Sequence, residues 1–463
     1  MLARRLPSKM LVAAALTGML STGPVRLFAQ AQAGAAGQTG AAGQTGQKNW
    51  KDRAEYDLYM KITQTADAKA RLQLLDTWRD KYPQTDFQAE RNQAYIATLA
   101  QLAQTDPSQR QALIQRSEEM LKNDPKSFTA AYYITLMGPQ VGGNNPPPDL
   151  GGEVQTAAHA LLDGVDTAFS PDKKKPGMSD ADWMKAKNQI VALAHAALGW
   201  AASASKDNTT AENEYKASLQ ANPDQGAVSY QYAKLLQDDK SVPDEKKYPT
   251  VLFEYARAAE YSGPGAVPAS AQPQLMDYFK KVYVQFHGSA DGEDQILAQA
   301  KTNALPPDGF AITSANAIAS QQADVLNTRI QSDPGFKVWY GVKQSLQDKG
   351  EPFFASDVKG LELPGDTVPS KSFTGTVISI DPPDRPTKVV LGVEDPTKPD
   401  ATLEFSTPLG PEALDRIKVG QKLDFSGIAD SYNKDPYMLT FKDPTVPGVK
   451  TTTPPRKAGR RRG

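Results

Sequence analysis

LGWAASASKDNTTAENEYKASLQANP, Leu198 to Pro223, reads as two helices joined by one turn. Gly199, Ala202 and Ala211 are small, so two antiparallel helices can approach closely along that seam. Tyr215 is large enough to fill the space between one helix pair and the next. Lys206-Asp207-Asn208 supplies the turn. Asn222-Pro223 ends the second helix, because proline disfavours the helical conformation of the residue before it.

The same pattern continues on both sides. Leu72, Leu75 and Trp78 share one helix face, and Tyr82-Pro83 closes that helix. Ile114, Met120 and Leu121 mark another, closed by Asp124-Pro125, and Phe128 through Met137 starts the next. Ala227–Leu236, Leu275–Phe286 and, more weakly, Gln295–Leu305 read as later helices. Breaks are expected at Gly138–Gly152, Ser170–Ser179 and Ser262–Pro273; these exceed ordinary helix–helix turns and predict insertions.

In order and spacing, Leu198-Gly199, Ala202, Ala211, Tyr215, Ser218 and Asn222-Pro223 resemble the tetratricopeptide repeat. Ser218 departs from the alanine usual there. Arg71–Pro83 and Leu113–Pro125 are similar to second helices of such repeats, and Ala227–Leu236 to a following first helix. The resemblance implies a helix–turn–helix solenoid over 49–350 whose first helices line a concave groove. Carried onto the best repeat and its successor, the groove positions are Trp200, Ser203, Tyr230, Lys234 and Gln237. Interhelical packing is the other role open to Trp200, and an irregular helical domain is the other reading of the array.

A helix around Phe336, Trp339, Val342 and Leu346 is expected to end the array, followed by a linker at 351–369. From Phe373 the periodicity switches to two. Val389-Leu391-Val393, Leu403-Phe405, Leu423-Phe425 and Tyr437-Leu439-Phe441 alternate as half-buried strands do. Gly410–Ile417, with Pro411 in its first turn, reads as a short helix between the third and fourth strands. Three strands, a helix and two strands over 370–447 resemble an oligonucleotide/oligosaccharide-binding (OB) barrel in topology. Another small barrel or sandwich remains open. The expected fold class is therefore mainly α, with a small C-terminal all-β domain.

The ends read differently. Arg4, Arg5 and Lys9 precede the apolar stretch Met10–Leu20, and Ala29-Gln30-Ala31 and Ala31-Gln32-Ala33 offer cleavage sites. Residues 1–33 are thus expected to be a signal peptide, and the protein extracytoplasmic, periplasmic or secreted, with no membrane span after cleavage. An uncleaved anchor is the alternative. AAGQTG occurs twice in succession at 35–46, inside a flexible spacer at 34–48. Residues 448–463 read as a disordered basic tail.

Composition narrows the chemistry. With 52 basic and 53 acidic residues there is no net field to steer the chain to nucleic acid or anionic lipid. The β segment, 371–443, holds nine Lys or Arg against twelve Asp or Glu, the wrong sign for a phosphate-tracking groove. Cysteine is absent, which removes thiol nucleophiles and Cys-based zinc sites. His159, His195 and His287 lie too far apart for the HExxH arrangement, and P-loop, dinucleotide and Gly-x-Ser-x-Gly patterns are missing. No cofactor or metal is expected. Asp291-Gly292-Glu293-Asp294 lacks the ligand spacing of a calcium loop and directly precedes a helix, so capping accounts for it better. These features predict a non-enzymatic scaffold for a protein or peptide, with polysaccharide as a possible partner of the β domain. The alternative is an enzyme or carbohydrate-binding protein acting on cell-wall polymers, using acids that pair only in space.

Overall fold

The computed structural model describes residues 50–144, 146–365 and 368–449. The expected signal peptide, the spacer and the tail beyond Val449 lie outside them. The chain divides into two units, up to Ala315 and from Asn316.

The first unit is built from helices α1 (Arg53–Gln64), α2 (Ala68–Lys81), α3 (Gln88–Leu102), α4 (Gln109–Asn123), α5 (Phe128–Gly142) and α6 (Pro148–Ala168). It continues with α7 (Asp180–Ala204), α8 (Asn208–Ala221), α9 (Gly226–Asp238), α10 (Asp244–Glu260), α11 (Gln272–His287) and α12 (Glu293–Thr302). Each helix from α1 to α11 packs on its neighbour in sequence, and α12 packs back on α10. Side-chain caps fix several of the starts. Asp67, Ser127, Ser179 and Asp207 each accept a backbone N–H from the first turn of α2, α5, α7 and α8, satisfying donors the helix cannot pair internally.

The quoted stretch folds as its residue sizes require. A Cβ on Gly199 would stand 2.8 Å from the Tyr215 ring, so the glycine is what lets α7 and α8 close on each other. Lys206 takes a left-handed φ of 65° in the turn. Ser218 is fully buried, and its hydroxyl donates to the Ala192 carbonyl at 2.8 Å. The departure from the repeat pattern thus adds a hydrogen bond between the two helices.

The expected break at Gly138–Gly152 is much narrower. Helix α5 runs through Gly138 and Pro139 to Gly142, and α6 includes Gly151 and Gly152. A Cβ on Gly138 would lie 2.1 Å from Val154 Cγ2, so this glycine serves close packing of α5 on α6 and does not end the helix.

The second unit begins one residue into α13 (Ala315–Ser332) and continues with α14 (Pro334–Lys349) and the single turn α15 (Glu351–Phe353), which runs into a π-helical turn, Phe354–Val358. Six strands follow: β1 (Glu362–Leu363), β2 (Phe373–Asp381), β3 (Lys388–Gly392), β4 (Ala401–Glu404), β5 (Lys422–Lys434) and β6 (Tyr437–Thr445). Their order is β1-β5-β2-β3-β4-β6, and β5 also pairs with β6, which closes a five-stranded barrel with β1 outside it. The β4–β6 pair is parallel and the others are antiparallel. A 3-10 turn, Pro411–Asp415, stands between β4 and β5, where the short helix was expected.

The domain boundary differs from the expected one at 350. Trp339 of α14 is fully buried among the strand residues, 5.2 Å from the Phe373 ring and 6.2 Å from that of Phe441. Strands β3 and β4 are only 5 and 4 residues long, and so small a barrel encloses little apolar area without help from a helix. The linker expected at 351–369 is likewise part of this fold, since Phe354, Val358 and Leu363 join the same core. Helix α13 is different. It has no buried residue, and Ala319 to Val325 are all exposed.

Candidate functional site

The residues expected to line a groove separate into two places. Trp200 lies on α7, half-buried against the end of α5. Its indole N–H donates to the Gly143 carbonyl at 2.8 Å, capping that helix end. Ser203, in the last turn of α7, is half-buried, and its carbonyl accepts the Lys206 N–H. Trp200 packs against the core cluster that α5, α6 and α7 share, whereas Tyr230 belongs to the following one.

Tyr230, Lys234 and Gln237 do come together, with residues the sequence reading did not select. They lie one helical turn apart along α9. The Gln237 side-chain carbonyl accepts two tyrosine hydroxyls, from Tyr255 of α10 at 2.8 Å and Tyr278 of α11 at 2.9 Å. The Tyr255 ring meets Tyr230 edge-on at 6.1 Å and Tyr278 edge-on at 5.1 Å. Tyr248 stacks on Phe286 at 5.3 Å. One amide therefore ties three consecutive helices, within a cluster of four tyrosines.

Burial is uneven across this cluster. Tyr230, Tyr248 and Tyr255 are buried, while Tyr278, Gln237 and Lys234 are partly exposed. Burial, more than any neighbouring charge, raises the ionisation of all four phenols, so each remains a neutral hydrogen-bonding group. Lys234 and Asp238 form an ion pair at 3.4 Å on the same helix, with Lys234 half-buried. Buried Lys247 donates to the carbonyls of Asp239 and Gln237, fixing the loop between α9 and α10. Arranged this way, the patch can bury an apolar group against rings and offer hydroxyl, amide and ammonium groups at its edge.

Helix α10 also carries a buried polar group. Glu254 of α10 is fully buried, and among the described residues neither carboxyl oxygen meets a hydrogen-bond partner. Desolvation pushes its ionisation up to about 8, with Ser229 and Arg257 acting in the opposite sense. The Arg257 guanidinium donates to the carbonyls of Ala300, Lys301 and Pro223, and lies 4.1 Å from the centre of the Tyr261 ring. Arg257 thus closes the ends of helices α8 and α12.

Glu118 of α4 is half-buried; burial first, then a hydrogen bond with Glu153 of α6, pushes its ionisation up to about 7. These two touch, whereas the carboxylates of a glycosidase stand roughly 5–9 Å apart to admit the sugar and water. His195 Nδ1 lies 2.7 Å from Glu214 Oε2, joining α7 to α8, and His287 Nδ1 meets the Thr313 carbonyl at 2.8 Å. Glu293 and Asp294 occupy the first turn of α12, where carboxylates favour the helix N-terminus, and Glu293 pairs with Lys280 at 3.2 Å. Among the described residues no group of three or more His, Asp or Glu is arranged to hold a metal ion. No described helix is long and apolar enough to cross a membrane. No family model matches the chain, and no curated protein matches it either.

Proposed function

We propose that this chain is an exported, non-enzymatic scaffold that holds a protein or peptide partner against tetratricopeptide-like helix pairs. The observation that carries this reading is the Gln237 amide, which holds Tyr255 of α10 and Tyr278 of α11 against α9, one helical turn from Lys234. Amphipathic side chains held rigidly lose little entropy on binding, and tyrosine is enriched at the centres of interfaces for that reason. Trp200 and Tyr230 serve as packing that orders the surface, and Lys234, Gln237 and Tyr278 are the groups that meet the partner. The C-terminal unit is read as an OB-like barrel. Three strands, a short helical turn and two strands, closed through the parallel β4–β6 pair, support that assignment. A polysaccharide contact is the second use open to it.

A photo-reactive side chain at position 234 tests the scaffold reading, with the same group at exposed Asp291 as control. Illumination in envelope preparations is expected to give a discrete polypeptide adduct from position 234 and none from 291. Equal labelling at both positions, or labelling of glycan alone from 234, would overturn it. Release of soluble fragments from cell-wall polymer, abolished by Glu118→Gln, would favour the enzymatic reading instead.

A further inference from the structure

The insertion at Ser170–Ser179 has no part in the tyrosine cluster. Its 3-10 turn, Pro171–Lys173, folds beside the last turns of α6 and helps to wall a cavity of about 520 Å³. That volume lies within the roughly 300–1,000 Å³ range of small-molecule sites. Phe128 forms an apolar side of the cavity, together with Ala160 and Ala168, all half-buried. Gly164 makes this possible, because a Cβ there would stand 3.1 Å from the Phe128 ring. The polar lining is exposed and of mixed sign, with Lys126 and Lys173 facing the same space as Asp163. Lys173 is held in position by its bond to the Thr167 carbonyl at 2.8 Å, which leaves further ammonium protons for a ligand.

We propose that this cavity binds a small zwitterion with an apolar body, of the size of a dipeptide of apolar residues. The ligand carboxylate meets Lys126 and Lys173, its ammonium meets Asp163, and its side chains lie on Phe128, Ala160 and Ala168. The inference is independent of the scaffold reading, since no residue is shared with the tyrosine cluster.

Isothermal titration of the protein with the dipeptide Leu-Leu tests it. Saturable binding is expected, weakened about tenfold when both ends of the peptide are capped as acetyl and amide. Lys126→Ala should weaken binding of Leu-Leu and of its N-acetyl form but leave the C-terminal amide unaffected. Asp163→Asn should do the reverse, weakening the amide form and sparing the N-acetyl form. Both side chains are exposed, so circular-dichroism melting should be unchanged in each variant. Binding of the doubly capped peptide as tight as that of Leu-Leu, or no saturation up to about 10 mM, overturns the proposal.

Discussion

The helical unit and the barrel are stabilised on different length scales. In the helices the core is divided into three clusters, each drawn from neighbours along the chain. In the barrel unit one cluster gathers Phe336, Trp339, Phe373, Phe425 and Phe441, residues far apart in sequence. A lesion in the first should stay near its own helices, as expected where stability is a sum of local and nearest-neighbour terms. A lesion in the second reaches every strand at once. The same kind of substitution therefore reads out differently in the two regions.

Trp339→Ala should have the largest effect. Removing a fully buried tryptophan costs about 3–5 kcal/mol, a large share of what a small domain has. Urea unfolding should show the barrel transition displaced or lost and the helical transition unmoved. For the same reason a fragment of 370–449 should lack a cooperative melt and one of 316–449 should have it. A cooperative barrel transition in the shorter fragment would remove Trp339 from its central place.

Gly199→Ala should cost about 1–3 kcal/mol through overpacking against Tyr215, less the gain of up to roughly 1 kcal/mol that alanine brings to a helix interior. Hydrogen exchange should quicken in α7 and α8 and leave α1 to α4 and the barrel unchanged. Faster exchange throughout the helical unit would mean that it unfolds as a single block.

Glu254 gives the finest comparison. Its carboxyl is protonated in the folded chain up to about pH 8 but ionises near 4.5 once unfolded. The folded state then binds more protons than the unfolded state between those values, so stability falls as pH rises from about 4.5 to about 8. The slope is at most about 1.4 kcal/mol per pH unit. Glu254→Gln should flatten it in the helical transition alone, as read from urea midpoints at a series of pH values. An unchanged slope in that variant would assign the pH dependence to other groups.

Much of the helical unit is legible in the sequence, because size and backbone constraints act locally. Asp124-Pro125 and Asn222-Pro223 end α4 and α8 where proline requires it, and Asp207 caps the start of α8 through its own side chain. The barrel strands are legible from alternation, since Leu391, Leu403, Phe425 and Phe441 all point inward. What the sequence conceals is partnership at a distance. Trp339 carries a helical periodicity that says nothing of the sheet it enters. Gln237 and Tyr278 are separated by 41 positions, and only the packing of α9, α10 and α11 joins them. Gly138-Pro139 misleads for the converse reason: a pair that usually breaks helices is kept helical because α6 packs so closely on it.

Helix α13 touches the barrel-unit core only through Leu326 and Ile330 near its C-terminal end. Between Ala319 and Val325 every side chain is in solvent, so this stretch is held by its own backbone hydrogen bonds and by the anchoring of its C-terminal end, where Arg329 donates to the Val393 and Glu394 carbonyls. Local opening there disturbs no packed residue and therefore costs far less than unfolding either unit. A protease, which must draw several residues into an extended strand, therefore meets a low barrier on this stretch. A single cut between Ala319 and Val325 would leave each unit with its entire core, so the chain can be divided here by chemistry without being unfolded by it.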